Sequence, residues 1–295
     1  MDYWNSYWNE SNRDTCLGNV SDFAMSHFDR FWEKAISSFS HQGDIKSNVE
    51  CLDVACGNGV ASSQVSKFMP DHTINFAGLD RADVNYALDN RNHDVTMFTG
   101  ERFLDFFNAS RKFDLVISNF GIEYLSIEEV ERLLTEYVGG KTTFVFNMHD
   151  ENSLVSKSSI KEIDAVNEFL NDDRLLSLEE RLISNFQTEL AKQYLTRLKV
   201  INDRNAQRIA GCGIADFIVS EFVQCQRENK QFCDFAYIKK TYTDYINRLS
   251  DQVRAAKNTE QLLELAAEIG LRGHTSDKIK DSNGRLISNF KVFRK

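Results

Sequence analysis

The chain has 295 residues, 42% of them apolar and 27% charged, with a formal net charge of −9. Fourteen glycines and a single proline exclude collagen-like and low-complexity classes, and 22 Phe, nine Tyr and three Trp exclude a disordered one. The length suits two domains, or one domain with a large insertion, and needs no disulfide or metal to support its core.

No apolar run approaches the roughly 18 residues needed to cross a bilayer. The N-terminal stretch, polar and aromatic, lacks the basic-then-apolar order of a signal peptide. The six cysteines (Cys16, Cys51, Cys56, Cys212, Cys225, Cys233) contain no C-x-x-C pair and show neither a disulfide framework nor zinc-ligand clustering. Reduced thiols, a cytoplasmic location and no metal are therefore expected. Residues 1–150 carry 12 Lys+Arg against 23 Asp+Glu, a net of −11, and residues 151–295 carry 23 against 21, a net of +2. An acidic front half repels polyanions, and no basic run offers a phosphate-tracking stripe, so neither nucleic acid nor membrane is an expected partner.

In chain order, residues 1–45 read as a helical, aromatic segment. Phe28, Phe31, Trp32, Ala35, Ile36 and Phe39 recur at three- and four-residue spacing, after a cluster of Tyr3, Trp4, Tyr7 and Trp8. From residue 46 to 150 short apolar runs alternate with helical patterns. Strands are predicted over 49–54, 73–79, 95–98, 113–118 and 142–147, with helices over 60–68, 82–90, 103–107 and 127–138. Pro70 ends the first of these helices, and Gly139-Gly140 separates the last from its strand. Such alternation implies a Rossmann-like, mostly parallel sheet with helices on both faces. Residues 151–257 lose the strand signal and form a helical insertion after the fifth strand, in which Ser177 and Glu180 read as a capping box ahead of Leu182, Phe186, Leu190 and Tyr194. Residues 258–295 return to the α/β pattern with a helix stopped at Gly270 and two strands flanking Asp281-Ser282-Asn283-Gly284, a hairpin-turn signal.

The chemistry concentrates at Leu52-Asp53-Val54-Ala55-Cys56-Gly57-Asn58-Gly59, where the first strand turns into the first helix. Glycines there allow a sharp turn and close backbone approach, and ligands of open α/β sheets bind at this edge. A dinucleotide fingerprint would need Gly or Ala at Ser62, so a nicotinamide enzyme is disfavoured. Asp53 places negative charge where a phosphate would sit, which favours a ligand bearing positive charge. Asp80, closing the second strand, is placed to accept from a ribose diol.

This octapeptide resembles the first motif of the class I S-adenosylmethionine-dependent methyltransferases. The resemblance covers residues 49–150 and extends to the C-terminal hairpin. It implies a seven-stranded sheet with an antiparallel final strand, S-adenosylmethionine as cofactor and S-adenosylhomocysteine as product. It also implies that Asp53, Ala55, Cys56, Gly57, Asn58 and Gly59 form the cofactor loop, that Asp80 holds the ribose, and that Arg81 lies beside the adenine. Thr99-Gly100-Glu101-Arg102-Phe103 resembles the family's segment after strand three, with Glu101 where Asp usually stands. Asn119 and Phe120, in Phe113–Tyr124, resemble the fourth-strand motif and would line the methionine half.

A base is required only if the acceptor arrives protonated. His149 after the fifth strand and Glu123 after the fourth are the placed candidates. Tyr124, Tyr7 and Trp8 are candidates for contacting substrate, the last two alternatively anchoring an N-terminal helix. In the insertion, Phe217, Phe222, Phe232, Phe235, Tyr237, Tyr242 and Tyr245 would build an acceptor pocket, or the insertion would serve as a homodimer interface. The expectation is methyl transfer to O or N of a small molecule of sugar-nucleotide or secondary-metabolite type. The alternatives are a protein or RNA methyltransferase and an inactive cofactor-binding interaction module.

Overall fold

The apolar residues of the inner strands continue on both faces, as they do in a sheet covered on both sides. A computed structural model of the protein describes residues 2–10, 22–40, 47–86, 88, 93–108, 111–184, 187–205, 213–227 and 234–295. Its sheet is built from β1 (Asn48–Val54), β2 (Thr73–Asp80), β3 (His93–Thr99), β4 (Phe113–Asn119), β5 (Val138–Met148), β6 (Arg272–Lys280) and β7 (Leu286–Arg294). The spatial order is β3-β2-β1-β4-β5-β7-β6. Neighbours are parallel except at β7, which is antiparallel to both β5 and β6. The seven-stranded, mostly parallel sheet expected from the sequence is present.

Alternation along the strands divides the core. Val49 and Cys51 of β1, Ile74 and Phe76 of β2, and Leu115 and Ile117 of β4 meet Phe28, Trp32 and Ile36 of α2 (Asp22–Ser40) and Ala61 and Val65 of α3 (Val60–Phe68). Leu52, Val54, Ala77, Leu79 and Val116 face the other way. They meet Val130, Leu133 and Leu134 of α4 (Ile127–Thr135) and Leu262 and Ala266 near the end of α9 (Phe235–Glu268). Each such side chain contributes roughly 1.5–3 kcal/mol on burial, so both faces hold the sheet. α3 stops at Phe68, ahead of Pro70. α4 opens on a capping box: Ser126 Oγ accepts from the Glu129 N–H, and the Glu129 carboxylate accepts from the Ser126 N–H.

Several local expectations fail for identifiable reasons. Ser177 caps nothing, because it lies inside α6 (Asp173–Ser184), whose start is capped instead by Asp172 accepting the Leu175 N–H at 3.0 Å; Phe186 lies outside the described residues. Residues 82–86 are irregular rather than helical. There the Asp80 carboxylate takes the Ala82 N–H and Asn5 Oδ1 takes the Asp83 N–H, so side chains replace the first turn's bonds. Gly139 and Gly140 sit within β5, at a bulge where β4 advances from Phe113 to Leu115 while β5 advances from Val138 to Thr143. The helix expected over 103–107 is part of a 3-10 run, Gly100–Asn108.

The described chain divides into two compact units, Met1–Ser156 with Gln252–Lys295, and Lys157–Asp251. Between β5 and β6 it is helical, through α5 (Leu154–Leu170), α6, α7 (Thr188–Asn205), α8 (Ile214–Arg227) and α9. The helical unit has its own core, in which Tyr194 stacks on Phe222 at 5.1 Å. Phe222, Phe235 and Tyr242 belong to that core and Phe217 and Tyr245 pack against it, whereas Tyr237 is exposed and Phe232 lies outside the described residues. Among the described residues no helix is long and apolar enough to cross a membrane, and no cluster of His, Cys, Asp or Glu could hold a metal ion.

Candidate functional site

β1 and β2 end side by side, and their carboxyl ends carry two buried aspartates. After β1 the backbone turns through left-handed conformations at Ala55 (φ 50°), Gly57 (φ 50°) and Gly59 (φ 89°) before entering α3. Two hydrogen bonds tie this loop to the end of β2: Asp80 Oδ2 accepts the Gly57 N–H at 2.9 Å, and the Leu79 carbonyl accepts the Cys56 N–H at 3.1 Å. Asp80 Oδ1 accepts the Ala82 N–H at 2.8 Å. Asp53 Oδ2 accepts from Ser62 Oγ at 2.7 Å and from the Ser62 N–H at 3.2 Å, while Asp53 Oδ1 is buried with no hydrogen-bond partner. Ser62, which spoils the dinucleotide fingerprint, is thus the residue that fastens Asp53 to the start of α3.

Neither aspartate forms an ion pair among the described residues. Burial pushes the Asp53 carboxyl from its ordinary 3.8 to about 7, and that of Asp80 to about 6 against the lowering effect of its backbone hydrogen bonds. Burial also holds the Cys56 thiol protonated, far from the reactive thiolate range.

The strand order with its antiparallel β7, the glycine turn after β1 and the acidic end of β2 together decide the fold. This is the class I methyltransferase fold. No family model matches the chain, and no curated protein matches it. Solved structures similar to it include the plantazolicin methyltransferase BpumL in complex with a monoazolic desmethylPZN analog and SAH, at 12% identity and TM-score 0.43, covering 100% of this chain and 89% of that one. The cyclopropane synthase MmaA2 from Mycobacterium tuberculosis matches at 10% identity and TM-score 0.42, covering 100% and 98%. CalO1, a methyltransferase in calicheamicin biosynthesis in its SAH-bound form, matches at 20% identity and TM-score 0.30; the match covers 42% of this chain and only 35% of CalO1. The fold is marked by the chain's own strand order, with β7 antiparallel between β5 and β6.

Aromatic rings wall the glycine loop. A Cβ at Gly57 would lie 2.7 Å from Trp8 Cη2, and one at Gly59 would lie 3.0 Å from Tyr86 Cε2. Trp8 belongs to α1 (Asp2–Glu10), which is also held by Asn5 Oδ1 on the Asp83 N–H at 2.8 Å and by Trp4, edge-on to Tyr124 with centroids 5.6 Å apart. Tyr7 lies edge-on to Trp8 at 5.2 Å. The close approaches that these glycines permit are therefore made by Trp8 and Tyr86. Tyr86 sits in a stretch read from sequence as helix; an aromatic six positions past Asp80 was the signal available.

A second strained turn follows β4. Phe120 is left-handed (φ 58°), its N–H reaches the Asn147 carbonyl at 2.7 Å, and its ring packs on Phe28 and His149. A Cβ at Gly121 would stand 2.5 Å from Ala55 Cβ, so the turns after β1 and β4 are pressed together. Left-handed non-glycine residues cost on the order of 1–3 kcal/mol each and gather at functional sites. Asn119 Oδ1 accepts from Asn147 Nδ2 at 2.8 Å.

The structure pairs the two candidate bases. Glu123 Oε1 accepts from the His149 N–H at 2.9 Å and from His149 Nδ1 at 2.8 Å. The Gln252 amide nitrogen lies 3.1 Å from His149 Nε2, and as a donor it leaves the ring proton on Nδ1. Thr259 Oγ1 donates to the His149 carbonyl and Asn258 Nδ2 to that of Glu123. Both side chains of the pair are fully buried. The remaining expected residues scatter more. Arg81 is engaged by the Glu129 carboxylate at 2.5 Å and lies over the Phe103 ring, Arg102 is exposed, Asn58 is half-buried in the loop, and the Glu101 side chain lies outside the described residues.

Proposed function

We propose that the protein is an S-adenosylmethionine-dependent methyltransferase acting on an oxygen or nitrogen of a small-molecule acceptor. The observation that carries this reading is the pair of buried carboxylates, Asp53 and Asp80, without a Lys or Arg partner among the described residues, beside the loop in which Gly57 and Gly59 are left-handed. Phosphate would be repelled there, whereas a ligand with a ribose and a positively charged end is suited to it. When bound, the cofactor supplies a methyl group on a sulfonium, transferred by in-line displacement. Asp80 keeps free lone pairs for the ribose hydroxyls while its backbone bonds hold it still. Asp53 Oδ1 supplies an unused acceptor for the cationic end. The Trp8 and Tyr86 rings exclude water from the loop, and aromatic faces attract onium groups by roughly 0.5–2 kcal/mol. His149, with both ring nitrogens bonded, orients Glu123 and needs to take no proton from an acceptor that arrives deprotonated.

A cofactor-binding module without turnover is the second reading, and the complete burial of both candidate bases favours it. Thermal melting with S-adenosylmethionine, S-adenosylhomocysteine and NAD in parallel tests the first step. At about a hundredfold excess over its dissociation constant a ligand stabilises the fold by roughly 2.7 kcal/mol. A rise with both adenosyl ligands and none with NAD is expected; no rise with either adenosyl ligand sinks both readings. Transfer of labelled methyl to a panel of hydroxyl and amine acceptors then separates enzyme from binder.

A further inference from the structure

α8 presents two different faces, one buried in its own unit and the other exposed. Ile214, Ile218 and Phe222 enter the core of the helical unit and are 3% exposed or less. On the opposite face Asp216, Val219, Ser220, Val223, Gln224 and Arg227 are all exposed, beside an open hollow of about 540 Å³ that they line. Val219 is 43% exposed and Val223 40%. Steps of three and one residues keep all six on one side of the helix. One apolar face is enough to seat a helix on its core, so Val219 and Val223 on the far side are open to a contact outside the unit.

The charges indicate what that is. Asp216 and Arg227 bracket the strip 11 residues apart, roughly 16 Å along the helix, and neither has an ion-pair partner among the described residues. Reversed about the point between Glu221 and Phe222, position 216 falls on 227, 219 on 224 and 220 on 223. The end charges of the strip are therefore complementary to those of an inverted copy, with Val219 facing Gln224 and Val223 facing Ser220. Two α8 helices lying antiparallel would set each Asp216 against the other copy's Arg227, with Val219 and Val223 between these pairs and the small Ser220 allowing close approach. Self-complementarity of this kind is what a two-fold, isologous contact requires.

We propose that the protein self-associates through α8, as an antiparallel two-fold pair closed at both ends by Asp216–Arg227 ion pairs. Six residues a side is well below the roughly 20–30 of a standard interface, so the association is weak, and its exposed ion pairs make it salt-sensitive. An acid near the start of a helix and a base near its end also suit the helix dipole. That simpler origin for the two charges gives no reason for them to recognise one another between molecules.

Sedimentation velocity of the full chain over a wide concentration series separates the two. The weight-average mass of wild type should climb toward twice the monomer and fall back in high salt. Asp216→Arg alone faces two guanidinium groups together, and Arg227→Asp alone faces two carboxylates together, so each should raise the dimer dissociation constant at least about tenfold. Mixing the two variants restores both ion pairs in a mixed dimer, and the double exchange restores them within one variant. Circular dichroism melts of each variant check that α8 stays folded. A wild type that is monomeric throughout, single variants that associate as wild type does, or a folded mixture that stays monomeric would each overturn the proposal.

Discussion

The carboxylates at the strand ends of the α/β unit and those inside the helical unit are held in opposite ways, although Asp281 of the α/β unit, paired with Arg285 at 2.6 Å, is held below its usual value as Asp172 is. In the helical unit Asp172 meets Arg197 at 2.5 Å, Glu179 is bound by Lys239 at 2.8 Å and by the Tyr194 hydroxyl at 3.0 Å, and Glu168 is bridged to Arg204 and Asn205. In the α/β unit Asp53 and Asp80 are buried among hydroxyl and backbone donors with no Lys or Arg partner among the described residues, and Glu123 meets only His149. The consequences have opposite signs. The Arg197 hydrogen bond holds the Asp172 carboxyl below its usual value, whereas burial lifts Asp53 to about 7 and Asp80 to about 6. A carboxylate that serves the fold alone is cheapest when paired or left in water. Under the proposed function the absent positive charge at Asp53 arrives with the cofactor, and the two units can be told apart by experiment on that ground.

The largest effect is expected at Gly57. Its left-handed φ and the 2.7 Å approach of Trp8 leave no room for a side chain, so Gly57→Val should weaken S-adenosylhomocysteine binding by at least about 100-fold in calorimetry, close to 2.7 kcal/mol. Wild-type affinity in a folded variant would place the ligand elsewhere. The next effect is on pH dependence. Because Asp53 and Asp80 hold protons more tightly when folded than their ordinary 3.8 allows, these two groups of the ligand-free protein bind more protons folded than unfolded above about pH 4. The stability that these two carboxyls contribute is therefore full below that pH and is lost progressively as pH rises toward 7. Denaturant titrations should show this decline, a shallower one in Asp53→Asn, and a shallower one again with saturating S-adenosylmethionine. A flat profile in the ligand-free wild type would remove the contrast between the units. The smallest effect is expected from Arg197→Met. Asp172, depressed in the native state, contributes stability that is full above its ordinary value and is lost as pH falls from there through its lower folded-state value; the variant should lose this acid-side component and bind the cofactor unchanged. Altered affinity in that variant would contradict the separation of roles.

Much of the fold was legible because its signals are local. The apolar stripe of α2, the strand–glycine–helix unit around Asp53 and the Asn283-Gly284 turn each follow from neighbours a few residues apart. At that turn Asp281 accepts the Asn283 and Arg285 N–H groups, and Gly284 is left-handed (φ 75°). Asp53 and Asp80 were also readable, since strand ends in a parallel sheet converge on one edge by topology alone. Ser62 was read only as a departure from a fingerprint, although its hydroxyl binds Asp53 nine positions earlier.

Other features depended on which distant groups compete for the same donor or fill the same space. The sequence offers 82–90 as a helix, but Asp80 and Asn5 capture the first amides and the backbone of 82–86 follows the side chains instead; residues 87, 89 and 90 lie outside the described residues. Ser177 looks like a cap until Asp172 takes the position five residues earlier. Glu123 and His149 are each placed as bases in isolation, yet the Glu123 carboxylate accepts from the His149 ring across 26 residues, and Gln252, 103 residues beyond His149, leaves the ring proton on Nδ1. Periodicity and turn chemistry act within a few residues and were already encoded in the order of the chain. Pairing of buried polar groups depends on which elements the hydrophobic core brings together, so only the assembled sheet could decide it.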